Sequence, residues 1–82
     1  MKKVTLDDCK NLQVKFKKYT EHAEQHEFLK LAMIDTRLVV TIGFIEQHPD
    51  LIDDKQRDLN AMFRVVLKAI GEDYSEYKKE DE

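Results

Sequence analysis

Residues 28–45 read FLKLAMIDTRLVVTIGFI, and this stretch decides the fold. Placed on a helix, it carries two apolar stripes. One is Phe28, Leu31, Ile34, Leu38, Ile42 and Ile45; the other is Leu29, Met33, Val40 and Phe44. A helix covered on one side needs a single stripe. Two stripes imply a helix packed by several neighbours, or one that offers a face to a partner. The run is long enough to span a membrane, but Lys30, Asp35 and Arg37 lie inside it. Each charge near a bilayer centre costs about 2.5–3.5 kcal/mol even on insertion scales. The stretch therefore reads as a buried helix of a soluble protein that does not insert into a membrane. A strand over Leu38–Ile45 is the lesser alternative, because LVVTIGFI is rich in β-branched residues.

Upstream, Thr5-Leu6-Asp7-Asp8 has the form of a helix start. Thr5 can cap, and Asp7 and Asp8 suit the positive end of the helix dipole. Cys9, Leu12, Phe16, Tyr19, Ala23 and His26 then recur at alternating spacings of three and four, which predicts a helix over 6–25. Nothing in TEHAEQHE (20–27) breaks a helix, so residues 6–47 form either one helix or two. A single helix of that length would be about 60 Å long, and compactness favours two. Downstream, Gln47-His48-Pro49-Asp50 is the clearest break, since proline biases the residue before it toward extended conformations. A third helix follows over 53–70, with Leu59, Met62, Phe63, Val66, Leu67 and Ile70 apolar. Asp53, Asp54 and Asp58 lie early in it, Arg64 and Lys68 late, and Gly71 where a left-handed cap would stop it.

The expected fold is all-α: a small three-helix bundle over residues 1–71 with a frayed acidic tail over 72–82, and with room for self-association. Leu38, Ile42, Leu59, Phe63 and Val66 should form its core. Eighty-two residues suffice for one such domain, and only two Gly and one Pro argue against an all-β fold. Tyr74 and Tyr77, three apart, are expected to pack back on the bundle rather than enter a partner's pocket.

The chemistry-bearing residues assemble no catalytic, cofactor or metal motif. His22 and His26 are four apart, but the metalloprotease pattern needs Glu directly after the first His, and that position is Ala23. They read as packing or surface histidines. His48 reads as a turn residue. Asp53, Asp54 and Asp58 read as acids at a helix start rather than as an acid–base pair. Cys9 has no partner for a disulfide, which suits a reducing compartment, and its place in an apolar pattern marks a small core residue. The net charge is −3, with a basic first quarter and an acidic tail. That balance opposes nucleic-acid binding, and Leu51–Ile70 sets Asp53, Asp54 and Asp58 against Lys55, Arg57, Arg64 and Lys68, which is not a basic recognition helix. No secretory signal follows the opening MKK. The residues thus describe a non-enzymatic helical interaction protein, with Leu29, Met33, Val40 and Phe44 as candidate partner-binding residues.

Taken whole, the chain resembles the cytoplasmic antiholins of T-even bacteriophages, small accessory proteins of lysis inhibition. The likeness lies in the opening MKKVTLDDCKNLQVKF, the centre LAMIDTRLVVTIGFIEQHPDLIDD, the tail EDYSEYKKEDE and the length. It implies a protein of the host cytoplasm that binds the cytoplasmic amino-terminal segment of the membrane holin and inhibits its triggering, so that lysis is delayed. It transfers no specific residues. The alternative is a small helical phage regulator that binds a host protein, such as a transcription factor or polymerase subunit.

Overall fold

The structure is a computed structural model that describes residues 2–77. Three α-helices pack in sequence: α1 (Leu6–Thr20), α2 (Phe28–Gln47) and α3 (Gln56–Ala69). Single turns of 3-10 helix at Gln25–Glu27, Pro49–Leu51 and Ser75–Tyr77 punctuate them, and the described residues contain no strand. Leu38–Ile45 is helical.

The start of α1 follows from its capping residues. The Thr5 hydroxyl accepts from the Asp8 N–H at 3.1 Å, and the Asp8 carboxylate accepts from the Thr5 N–H at 3.0 Å. Two otherwise orphaned donors are satisfied reciprocally. Lys17 and Lys18 occupy the last turn, opposite in sign to Asp7 and Asp8 in the first, as the helix dipole favours. The helix ends at Thr20, several residues short of the expected Gln25. There the Thr20 hydroxyl donates to the Lys17 carbonyl, and the His22 and Ala23 N–H groups bond three residues back. Glu24 is extended (φ −69°, ψ 149°), and Glu27 accepts from its N–H at 3.3 Å to start the next turn. No Gly or Pro forces this break. It lets α1 and α2 fold together so that Cys9, Leu12 and Phe16 meet Leu31, Ile34 and Leu38 in one core. His26 is consequently exposed, off the seam where its spacing had placed it.

The proline sets the end of α2. His48 adopts φ −132°, ψ 62°, and its N–H closes the helix on the Phe44 carbonyl. α3 begins at Gln56, later than the expected residue 53. Asp53 and Asp54 lie in the turn before it, and only Asp58 sits in its first turn. α3 ends as its sequence predicts. Gly71 takes φ +75°, its N–H bonds the Lys68 carbonyl, and the Glu72 N–H bonds the Leu67 carbonyl at 2.9 Å. This is a Schellman cap, which a side chain with a Cβ would strain.

Leu38, Ile42, Leu59, Phe63 and Val66 are all buried, as expected. The packed unit is larger than residues 1–71, however. Beyond Gly71 the chain turns back, and Tyr77 is buried with its ring 4.7 Å from that of Phe63. Arg64 donates to the Tyr77 carbonyl. Tyr74 is half-buried against the same core. Residues 78–82 of the expected frayed tail lie outside the described residues. At the other end Val4 is fully buried, fixed by two side chains of α3. Gln56 pairs with both backbone groups of Val4, and Asn60 donates to the Lys2 carbonyl at 2.8 Å. Lys2 in turn meets Glu76 at 3.3 Å and lies 5.5 Å from the Tyr77 ring centre. Both ends of the described chain are therefore fastened to α3.

The molecule measures 38 × 31 × 17 Å along its principal axes. Helices pack about 8–10 Å apart, so the short dimension holds two layers and no third. α2 is covered on one side only.

Candidate functional site: the outer face of α2

A helix turns about 100° per residue, which places Leu29, Met33, Val40 and Phe44 within an arc of about 60°. The buried stripe of Leu31, Ile34, Leu38, Ile42 and Ile45 lies on nearly the opposite side. The four outer residues are exposed by 76%, 68%, 65% and 38% in chain order. All four candidate partner-binding residues thus stand together on one open face. Phe28, the first residue of the inner stripe, is itself half exposed at the helix start.

Further positions complete the face. Thr36, Gly43 and Gln47 fill the gaps, so 29, 33, 36, 40, 43 and 47 alternate by four and three. That is the spacing of a seam that receives another helix. The Thr36 hydroxyl is turned back onto the Ala32 carbonyl at 3.0 Å. Gly43 has no intramolecular reason to be glycine: a Cβ there would meet nothing within 4 Å. A glycine inside a helix costs about 1 kcal/mol relative to alanine, so α2 carries a cost that its own fold does not require.

Phe44 is held at the edge of this face. Its ring lies 4.9 Å from that of His48, and the Lys55 ammonium sits 5.5 Å from its centre. Phe44, Val40 and Thr41 form one wall of a cleft whose other wall is Lys55, in the turn before α3, with Asp58 and Leu59 of α3. A second cleft opens at the far end of the same two helices, between Lys30 and Ile34 of α2 and Val65, Lys68 and Ala69 of α3. Val65 is 43% exposed and extends the apolar surface onto α3. Sequence reasoning missed the α3 wall and Gly43. Val65 could have been found as an apolar residue off the stripe of α3, and Gly43 as a helix glycine without a cap.

His48 and Asp58 thus border this face, while the remaining candidate groups lie apart from it. His22 lies in the turn after α1 and His26 in the following 3-10 turn, both exposed, so they do not share a helical face. Among the described residues no three His, Cys, Asp or Glu are grouped to hold a metal ion. Cys9 is fully buried, and burial aided by the neighbouring Asp8 charge pushes its thiol up to about 11. Such a thiol carries almost no thiolate at neutral pH and is a poor nucleophile. Glu27 raises the Tyr19 phenol by its charge, and the phenol donates to that carboxylate at 3.4 Å. This contact ties the end of α1 to the start of α2 and lies off the open face. Among the described residues no helix is long and apolar enough to cross a membrane. No protein-family model, curated protein or solved structure matches the chain.

Proposed function

We propose that this chain is a non-enzymatic regulator of phage lysis timing that acts in the host cytoplasm. It binds the cytoplasmic amino-terminal segment of the membrane holin and holds the holin in a non-triggering state. The contact is made by the outer face of α2. The observation that carries the reading is the exposure of Leu29, Met33, Val40 and Phe44 along one line of a 20-residue helix. Large apolar side chains grouped on a surface mark interaction sites. The choice of a holin as partner rests on the resemblance in the opening, central and tail segments of the sequence.

An amphipathic segment laid into a helical groove is a recurrent mode of recognition, and aromatic anchors supply much of its energy. Phe44 is the anchor here, because His48 and Lys55 already hold its ring in place. The test is lysis timing in bacteria that express the holin with or without this chain. Delay with the intact chain and none with Phe44→Ala supports the reading. Identical lysis times for all three strains would remove it, and a host protein would then be the partner to seek.

A further inference from the structure

The groove between α2 and α3 is basic in an acidic protein. Lys30 and Lys68 face each other across one end, and Lys55 borders the other end with Asp58. Arg37 lies seven residues after Lys30 and seven before Phe44, which sets it on the same line of α2 midway between the two clefts. Four cations therefore edge the α3 side of the apolar strip against one acid, although the whole chain has net charge −3. The ion pairs Lys2–Glu76, Lys3–Asp53 and Lys15–Glu72 lie elsewhere. Among the described residues none of the four groove cations has a carboxylate within ion-pair distance.

We infer that the occupant of this groove is an amphipathic helix with acidic residues flanking its apolar stripe. This deepens the binding reading above and depends on it only in that the face binds a protein helix, whichever protein supplies it. The alternation of residues 29–47 accepts a second helix, and 20 residues of α2 match a guest of about the same length. The charges decide which helix. A second copy of this chain in a two-fold contact would set the same patch against itself, so that cations among Lys30, Arg37, Lys55 and Lys68 face cations of the other copy. Like charges across an interface are costly, whereas Glu or Asp beside the apolar stripe would meet all four favourably. An anionic membrane would also attract the cations. The acidic remainder of the molecule and Asp58 within the groove oppose that docking.

The test uses the full chain and three synthetic peptides of about 20 residues that share one apolar three–four pattern. Their flanking positions carry Glu, Gln or Lys. Calorimetric titration at low salt should rank them Glu, Gln, Lys, with the Glu peptide bound about tenfold tighter than the Gln peptide. In 0.5 M salt the ranking should flatten. Lys30→Glu combined with Arg37→Glu should invert it, and circular dichroism should be unchanged because both side chains are exposed. Amide shifts on binding should fall on Val40, Phe44 and Lys55. Equal affinities for the three peptides, no binding of the Glu peptide, or shifts confined to α1 would each overturn the inference. So would tight binding to anionic vesicles that the Glu peptide fails to displace, or a dimer of the chain that persists in the charge-reversed variant. A holin segment that fails to bind a chain which does bind the Glu peptide removes the holin and leaves this inference standing.

Discussion

The side chain of Gln56 pairs with both backbone groups of Val4: its oxygen accepts from the Val4 N–H at 2.6 Å and its nitrogen donates to the Val4 carbonyl at 2.8 Å. The two residues are 52 positions apart. The pair works like one rung of a sheet ladder. It lets the amino-terminal segment lie on α3 with its polar groups satisfied while the Val4 side chain enters the core. Asn60, one turn further along α3, continues the fastening by donating to the Lys2 carbonyl. Its side-chain oxygen is buried and finds no donor among the described residues.

Gln56→Ala should therefore destabilise the protein by about 1–3 kcal/mol, since it leaves two backbone groups of Val4 without partners. Urea denaturation measures this. If the fastening is as described, the same substitution should cost far less in a chain lacking residues 1–4. Equal costs in the two chains would show that Gln56 acts through something other than Val4.

The core should respond more strongly. Leu38 and Phe63 are buried, and both truncations to alanine should cost about 2–5 kcal/mol. For a domain of this size that is a large share of the total stability. A melting temperature unchanged by either substitution would contradict the packing.

Gly43 should behave in the opposite sense. Its φ is not positive and a Cβ would enter open space. Gly43→Ala should stabilise the isolated protein by about 0.5–1 kcal/mol by removing backbone freedom from the unfolded chain. Thermal denaturation would show an increase of a few degrees. If Gly43 is glycine so that a partner can approach closely, the same variant should bind that partner less well. A destabilised variant would show that the site is not open.

Cys9 gives a dependence on pH. The thiol of the folded chain ionises near 11, against an ordinary 9.0. Below 9.0 both states keep the proton and the thiol contributes no slope. As pH rises from 9.0 toward 11, the unfolded chain releases a proton that the folded chain retains, so stability is lost across that window. Cys9→Ala should lack this component of the loss, measured as the difference between the two denaturation curves over pH. At pH 8 the native thiol should react with a disulfide reagent only as fast as the protein opens. Immediate labelling would contradict its burial.

Several of these features were legible in the residues. Thr5 and Asp8 announced the start of α1, Pro49 the end of α2, and Gly71 the cap of α3, because each acts through its immediate neighbours. The two stripes of α2 separated its inner face from its outer one. The early end of α1 was not legible, since nothing in residues 20–27 forbids a helix. The break there serves the packing of α1 on α2, which is a tertiary demand. The pairing of Gln56 with Val4 and the return of Tyr77 onto Phe63 join distant positions and leave no local pattern. On the α3 side of the candidate site Lys55 and Asp58 escaped for the same reason, since they acquire meaning only beside α2, whereas Val65 carried a local signal as an apolar residue off the α3 stripe.

The proposed partner binding lies on the outer face of α2 and is separable from the core. Its most direct test is calorimetric titration of the purified chain with a soluble peptide of the holin's cytoplasmic segment, alongside Phe44→Ala and Leu38→Ala. The intact chain should bind at micromolar concentration or better. Phe44→Ala should keep its melting temperature and lose about 1–3 kcal/mol of binding, while Leu38→Ala should lose stability and binding together. Absence of binding by the intact chain would remove the holin as the partner, and undiminished binding by Phe44→Ala would contradict a contact through the outer face of α2.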